Sequence, residues 1–568
     1  MTGGMTVGKL LRVNMKEETL IFQELEEKYE LLSGRALTSK IVSEEVRATS
    51  DPLGKHNKLV FACGLLAGTN VSSAGRLSVG AKSPLTGGIK ESNAGGNAAY
   101  FMGRLDIRGI VIEDLPNEDK WYLIHVNENG AELKDAAHLV SLGVYEKAIR
   151  LYQEYGKQSS LILIGPAGEK RLLSAGVTNT DPDGAPTRYC ARGGLGAVMG
   201  SKRVIAIVIE GRKSKISFSD KENFKANSDI YNKLILDTPQ TNEIFPKYGT
   251  AAMTANTNAL GALPTRNFYK GDFEGTSKID GNAVYDIITA RGGNGTPTHS
   301  CMVGCIIRCS NIFPDKEGNV LVSPLEYETI GLLGSNLCID DLDVIARLNN
   351  MCNDYGVDTL EIGGAIGVFM EAGLTKFGDS KKVLELMTEI VNDTYLGRIL
   401  ASGVVITGKI FGQTRVPAVK GQGMPAYEPR SAKGLGVTYI TSPMGADHTA
   451  GNTIRANVKP HLKDKQVETS LEAQVGATFM DYVGICLMVG AAVKDRNLIA
   501  ELVSAKIGIR VTASELLEIA RETLQIEKDF NKRAGFSKAH DRLPDYFYEE
   551  PNPSSNCVFD IYDDDLEV

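Results

Sequence analysis

The sequence predicts an α+β protein: an N-terminal β-sheet domain followed by two mostly α-helical domains. Three observations carry this. Up to residue 208, short runs rich in Val and Ile alternate with Gly, Asn and Asp turns. From residue 209 onward, apolar residues recur at helical spacing. The chain has 568 residues, and a single core stops growing at roughly 250–300. Two or three domains are therefore expected, with boundaries at 1–208, 209–417 and 418–568.

The candidate strands of the first part are LLRVN, KLVFACG, IRGIVIE, SLILIG and RVIAIVIEG. The first three lack the spacing of βαβ units, so a doubly wound sheet is not expected. Many of the 60 glycines fall here, in GGIKESNAGGN and ARGGLGAVMGSK. In the middle part, Leu342, Ile345, Ala346, Leu348, Met351 and Cys352 lie near helical spacing, with Gly356 as the stop. In the last part, Thr512 and Glu515 form a capping-box pattern ahead of LLEIARETLQ. The tail EEPNPSSNCVFDIYDDDLEV is acidic and contains proline, and is expected to be ordered only in part.

Composition narrows the class of function. Hydrophobic residues at 42% and charged residues at 23% are ordinary for a soluble protein. A net charge of −8 excludes a non-specific nucleic-acid binder but leaves room for a local basic patch. The opening MTGGMTVGKLLRVNMKEETL has no apolar leader core. The longest apolar run, near VGICLMVGAAV, falls far short of the ~20 residues a membrane span needs. A soluble cytoplasmic protein is the expectation. Nine cysteines spread over a long chain make a poor disulfide framework. They are read as buried thiols or metal ligands, and spacing has to decide between the two.

The strongest local signal is THSCMVGCIIRCSN, with Cys301, Cys305 and Cys309 four residues apart. Soft thiolates converging from a short irregular segment suit an iron–sulfur cubane, with a fourth ligand arriving from elsewhere. Cys486, in MDYVGICLMVG, is the candidate fourth. A helix with cysteines along one face and a four-thiolate zinc site are the alternatives. Zinc sites usually show tight CxxC pairs, which are missing.

Two glycine-rich loops have the composition of anion sites. One carries Arg76, Lys82, Asn93, Gly95 and Gly96; the other carries Arg192, Gly193 and Gly194. Glycine lets backbone N–H groups approach an anion, and arginine adds bidentate charge. Bulges and turns are the plainer reading of each loop. Two further segments share one pattern, Asn353-Asp-Tyr-Gly-Val-Asp358 and Asp481-Tyr-Val-Gly484-Ile-Cys486. Carboxylates there can accept from a donor-rich heterocycle such as a pterin. A helix end capped by glycine is the alternative. Of the seven histidines, His448 in SPMGADHTAGN stands out through its flexible loop and Asp447. Glu326 and Glu328 form an acidic pair in SPLEYETIGLLG.

Taken together, these segments resemble the tungsten-containing aldehyde:ferredoxin oxidoreductase family, over nearly the whole chain. The resemblance rests on VGAKSPLTGG with SNAGGN, ARGGLGAVMGSK, the cysteine segment, EYET, NDYGVDTLEIGG, VKGQGMPAYEPRSAKGLGV, GADHT and DYVGIC, in the family's order. It implies a bis-pyranopterin cofactor holding tungsten or molybdenum, and a 4Fe-4S cluster on Cys301, Cys305, Cys309 and Cys486. It implies a magnesium ion bridging the pterin phosphates near Asn93 and the ARGG loop. The N-terminal sheets would form a base under the cofactor. Asp358 and Asp481 would bind the pterins, and Arg76 and Arg192 would face phosphates.

The chain departs from the family pattern in its cluster spacing, CxxxCxxxC instead of CxxCxxxC, and in beginning the first pterin motif with Asn353. It has no ExxH motif for an interfacial mononuclear iron. The activity implied is oxidation of an aldehyde, with His448 acting on the carbonyl oxygen and Glu326 or Glu328 activating water. Electrons would pass to ferredoxin or a ferredoxin-like subunit, in a homo- or hetero-oligomer. The competing readings are a reductase subunit for carboxylic acids or aromatic acyl-CoA esters, and a non-catalytic electron-transfer subunit.

Overall fold

The computed structural model describes residues 8–566. The first part forms two six-stranded sheets. The first holds β1 (Lys9–Asn14), β2 (Thr19–Glu24), β3 (Leu59–Cys63), β4 (Leu77–Lys82), β5 (Ile89–Ala94) and β6 (Ile107–Glu113), in the order β2-β1-β6-β3-β4-β5. The second holds β7 (Tyr122–Asn127), β8 (Gly130–Asp135), β9 (Ser160–Leu163), β10 (Val177–Asn179), β11 (Arg188–Cys190) and β12 (Val204–Ile209), in the order β11-β10-β9-β12-β7-β8. Only β1–β6 and β7–β12 pair in parallel, so the sheets are not doubly wound, as the spacing indicated.

Strand alternation splits each sheet between two cores. Leu11, Val13, Ile110 and Ile112 face Ile124, Val126, Ile162 and Ile207 of the other sheet. Leu10, Val60 and Val111 point the opposite way, onto Leu37, Ile41 and Val42 of helix Gly34–Glu45. Leu161, Leu163 and Val208 do the same onto helix Val144–Tyr155. The central strands of each sheet are buried on both faces, which explains continuous apolar strands such as VIAIVI, while the strands β2 and β8 remain largely open.

The rest of the described chain is mostly helical. Helices Leu342–Tyr355, Thr359–Glu371, Ser380–Val391 and Lys433–Thr441 share one core with Phe559 and Ile561 of the tail. Helices Lys221–Asp237, Gln466–Val483, Arg496–Ile507 and Ala513–Arg533 share another. The capping box at Thr512 and Glu515 is formed in both directions. The tail differs from expectation: Phe559 and Ile561 are fully buried, and Asn552 Nδ2 donates to Gly261 O at 2.9 Å. Its apolar residues supply the burial that its acidic composition concealed. Among the described residues no helix is long and apolar enough to cross a membrane.

A small three-stranded sheet interrupts the helical part, and the cysteine segment connects its strands Thr296–His299 and Ser310–Pro314. The segment is irregular, so the cysteines do not lie along one helix face.

Candidate active site

Two helix ends meet the two sheets in the same way. Helix Leu342–Tyr355 stops at Gly356 with φ 86°, and helix Gln466–Val483 stops at Gly484 with φ 81°. Each rests on a glycine just past a strand. A β-carbon on Gly165, after β9, would sit 2.2 Å from Tyr355 O; one on Gly64, after β3, would sit 2.1 Å from Val483 O. The shared sequence pattern is therefore both a glycine cap and a docking point. It delivers Asn353 and Asp358 above one sheet, and Asp481 and Cys486 above the other.

Between them lies a cavity of about 290 Å³. Its walls include Arg76, Asn93 and Gly95 from the first sheet, Arg192 from the ARGG loop, and Asn353 and Asp358 from the first helix end. Glu326, Glu328, His448 and Cys301 complete it. Residues far apart in the chain are thus brought to one place. Several lining atoms are buried without a partner: Asn353 Nδ2, Thr187 Oγ1, Arg188 Nε, Glu328 Oε1 and His448 Nδ1. Unpaired buried donors and acceptors on one wall fit a polar, heteroatom-rich occupant, since native interiors rarely leave such groups unmatched.

The two arginines are held differently. Arg192 donates through Nε to Asp358 Oδ2 at 3.2 Å, and through its other nitrogens to Ala446 O at 2.7 Å and Gly423 O at 2.6 Å. Asp358 also caps helix Thr359–Glu371 by accepting from Leu360 N. Arg76 donates to Asn93, through Nε to Oδ1 and through Nη2 to the carbonyl O at 3.0 Å. Asn93 in turn donates to Asp481 Oδ1 at 3.0 Å. Asp481 and Glu91 are both buried, and burial pushes both carboxyls up, Asp481 to about 6 and Glu91 to about 8.

Lys82 is not brought to the cavity; its ammonium donates to the carbonyls of Ala48 and Ser50. Gly96 packs on Asn179, Gly193 on Lys90 and Gly194 on Leu173, behind the cavity wall.

The acidic pair divides. Glu328 Oε2 accepts from Ala426 N at 2.7 Å, and Oε1 lies 3.3 Å from His448 Nε2. Burial raises the Glu328 pKa against the pull of His448. Glu326 is exposed and stands close enough to Cys309 and Cys486 to raise their pKa values. The loop bearing His448 is anchored by Asp447, whose Oδ2 is 2.6 Å from the fully buried Lys90 Nζ. Lys90, Arg192 and His448 outweigh burial and hold Asp447 far below the usual carboxylate range.

The cysteines cluster: Cys301 contacts Cys305 and lies near Cys309, Cys309 lies near Cys305 and Cys486, and Cys486 lies near Cys305. The contact with Cys301, the hydroxyl of Ser73 at 3.4 Å and nearby backbone N–H groups hold the Cys305 thiol down to about 6. Burial raises Cys309 and Cys486, with Arg76 opposing the rise at Cys486. A β-carbon on Gly95 would lie 2.9 Å from Cys301 Sγ, so the glycine loop and the cysteine loop touch. No three His, Cys, Asp or Glu side chains among the described residues converge on a single ion.

Sequence reasoning missed Lys90, Glu361 and Arg188. Glu361 is fully buried and accepts from Val404 N at 2.9 Å and Gly423 N at 3.0 Å, tying down the strand that receives Arg192. Arg188 lies buried between Asp181, Ser310 and His299.

Known proteins place this arrangement. The family model for the aldehyde ferredoxin oxidoreductase N-terminal domain matches residues 10–211, and that for domains 2 and 3 matches residues 225–566. The tungsten-containing aldehyde ferredoxin oxidoreductases of Thermococcus kodakarensis and Pyrococcus furiosus are each 32% identical to the chain, over 96% of it and 92% of their own lengths. An aliphatic sulfonate oxidoreductase WOR-like subunit of Pyrococcus furiosus is 24% identical over 89% of the chain and 84% of its own length. The solved active-site complex BamBC of benzoyl coenzyme A reductase shares the fold, with a TM-score of 0.80, 18% identity, and coverage of 98% of this chain and 92% of that one.

Proposed function

The chain belongs to the aldehyde ferredoxin oxidoreductase family, and from that premise we propose that it oxidises an aldehyde to the carboxylic acid and hands the electrons to ferredoxin or a ferredoxin-like subunit. It is an oxidoreductase of a tungsten–pterin family. Aldehyde and water give acid, two protons and two electrons. The observation that carries this reading is the contact of His448 with Glu328 in the wall of a cavity that also gathers Arg76, Asn93, Arg192, Asp358 and Cys301.

Asn353 and Asp358 on one side, and Asn93 backed by Asp481 on the other, supply the acceptors and donors for two pterins. Arg76 and Arg192 would compensate the phosphates, and a magnesium ion would be held near Asn93 and the ARGG loop. When bound, the tungsten or molybdenum bis-pyranopterin supplies two-electron acceptance. Cys301, Cys305, Cys309 and Cys486 would hold a 4Fe-4S cluster that passes the electrons on singly.

The protein's own share is positioning and proton transfer. His448 can be held at Nε2 by Glu328 and offer Nδ1, which has no other partner, to the carbonyl oxygen. Glu328 is anchored through Oε2 and turns Oε1 towards His448 Nε2, and burial raises its pKa, which strengthens it as a base towards water. Glu326, exposed and turned to the cysteines, is the weaker candidate.

In metal-loaded enzyme, His448→Ala and Glu328→Gln are expected to lower kcat on aldehydes by about 10²–10⁴-fold, and Glu326→Gln by less than about tenfold. Unchanged turnover in both of the first two variants, with tungsten or molybdenum and iron retained, would sink the assignment. Parallel assays on carboxylic acids and aromatic acyl-CoA esters separate oxidation from the reductase reading.

A further inference from the structure

His448 stands in the cavity wall with one ring nitrogen approached and the other open. Nε2 lies 3.3 Å from Glu328 Oε1, and Nδ1 is buried without a partner. The carboxylate of Asp447 stops just short of Nδ1, with Oδ1 4.0 Å away. A shift of about 1 Å would bring that contact into hydrogen-bond range. Asp447 is 5% exposed, so water does not saturate it.

Donors from two places hold Asp447 back. Oδ1 accepts from Thr449 N at 3.0 Å and from Thr449 Oγ1 at 2.8 Å, both within the loop. Oδ2 accepts from Nζ of Lys90, on β5, at 2.6 Å. The Lys90 stem fills the space beneath the ARGG loop, where a β-carbon on Gly193 would meet Lys90 Cγ at 2.4 Å. The ammonium is thereby fixed in direction. The loop's backbone has other holds: Ala446 O accepts from Arg192 Nη1 at 2.7 Å and from Gln422 Nε2 at 2.8 Å. Lys90 therefore restrains the Asp447 side chain, while other residues hold the loop.

We propose that Lys90 is a positioning residue of this active site: by drawing Asp447 towards the first sheet, it keeps that carboxylate off His448 Nδ1 and leaves the nitrogen open to the carbonyl oxygen of the substrate. Without the ammonium, Asp447 Oδ2 would be a buried carboxylate oxygen lacking its donor, which is costly to leave unpaired. Arg192 cannot replace Lys90, because its nitrogens are committed to Asp358, Ala446 O and Gly423 O. Nδ1 is the open donor beside the carboxylate. A charge-assisted bond there would occupy the nitrogen and lock the imidazole between Asp447 and Glu328. The inference rests on the aldehyde-oxidising reading, in which Nδ1 meets the substrate.

The test is a cycle of variants in metal-loaded enzyme, with benzaldehyde as the probe. Lys90→Met should lower kcat by about 10–100-fold, because a donor to the transition state is lost, with KM changed by less than about threefold. Asp447→Ala leaves no carboxylate to restrain, so adding Lys90→Met to it should change kcat by less than about threefold. Losses of equal size in both backgrounds, or no loss in the first, would overturn the assignment. Should Lys90→Met alone fail to fold, the Asp447→Ala pair decides, and a further loss of about tenfold or more on adding Lys90→Met refutes the role. Crystals of Lys90→Met give a readout independent of turnover. An Asp447 oxygen about 2.7–2.9 Å from His448 Nδ1 is expected; a carboxylate that stays where it is would sink the idea. If the wild type oxidises no aldehyde, the proposed reaction falls, and the Asp447–His448 contact in those crystals still decides whether Lys90 holds the two apart.

Discussion

Helices Leu342–Tyr355 and Gln466–Val483 both stop at a left-handed glycine seated on a glycine of the N-terminal sheets, yet the residues beyond the two glycines differ. After Gly356 the chain reaches Asp358, which caps the next helix and pairs with Arg192, itself close to Glu361 at 3.6 Å. After Gly484 it reaches Cys486, beside the cysteine loop, while Asp481 stays inside a network of Arg35, Asn93 and Glu527. One end is held by charge compensation. The other combines a partly protonated carboxyl pair with a thiol. Similar backbone geometry carries a structural electrostatic lock on one side and a candidate electron exit on the other.

The largest expected effect separates the two arginines. Arg192→Met leaves Asp358 and Glu361 buried without their cation, which should cost about 3–5 kcal/mol. Arg76→Met removes the hydrogen bonds to Asn93 and the lesser of two guanidiniums near Asp481, which keeps Arg35, so its stability loss should be smaller, and iron retention should be what suffers. The midpoints of denaturant unfolding and the iron content of both variants check this; equal destabilisation would erase the contrast.

The second test asks whether the docking is truly shared. Gly64→Ala and Gly165→Ala each place a β-carbon about 2 Å from a carbonyl oxygen. Each should destabilise by about 1–3 kcal/mol or more through overpacking, and by similar amounts. Thermal midpoints would show it, and tolerance of one substitution alone would mean that the two ends are not seated alike.

The smallest effect is on pH dependence, and it belongs to the second end. Glu91 and Asp481 have folded pKa values raised to about 8 and about 6 by burial. The folded state therefore binds protons more tightly than the unfolded chain, where carboxyls titrate near 4. Stability from this pair is present at low pH and is lost as pH rises through 6 towards 8. Thermal midpoints of metal-free protein should fall across that window, and Glu91→Gln should flatten the fall. An unchanged slope in Glu91→Gln would assign the proton elsewhere.

Much of this comparison was legible in the chain. The repeated pattern around Gly356 and Gly484 marked both helix ends, and periodicity located helix 342–355 and five of the twelve strands of the two sheets, β1, β3, β6, β9 and β12. The thiol spacing singled out the cysteine segment. The tail was misjudged because Phe559 and Ile561 are too few to outweigh its acidic composition by pattern alone. Lys82 was grouped with the anion sites because composition does not say which way a strand residue points, and it points to Ala48 and Ser50.

By itself, then, the sequence determined local matters: which segments become strands or helices, where glycine ends a helix, and which residue types are rich in chemistry. These depend on neighbours within a few positions, through hydrogen-bond period and steric limits on φ. Only the tertiary structure decided that Glu328 rather than Glu326 meets His448, and that Lys90 and Glu361 brace the site. Those are contacts between residues distant in the chain, fixed by how the cores pack, and no local rule contains them.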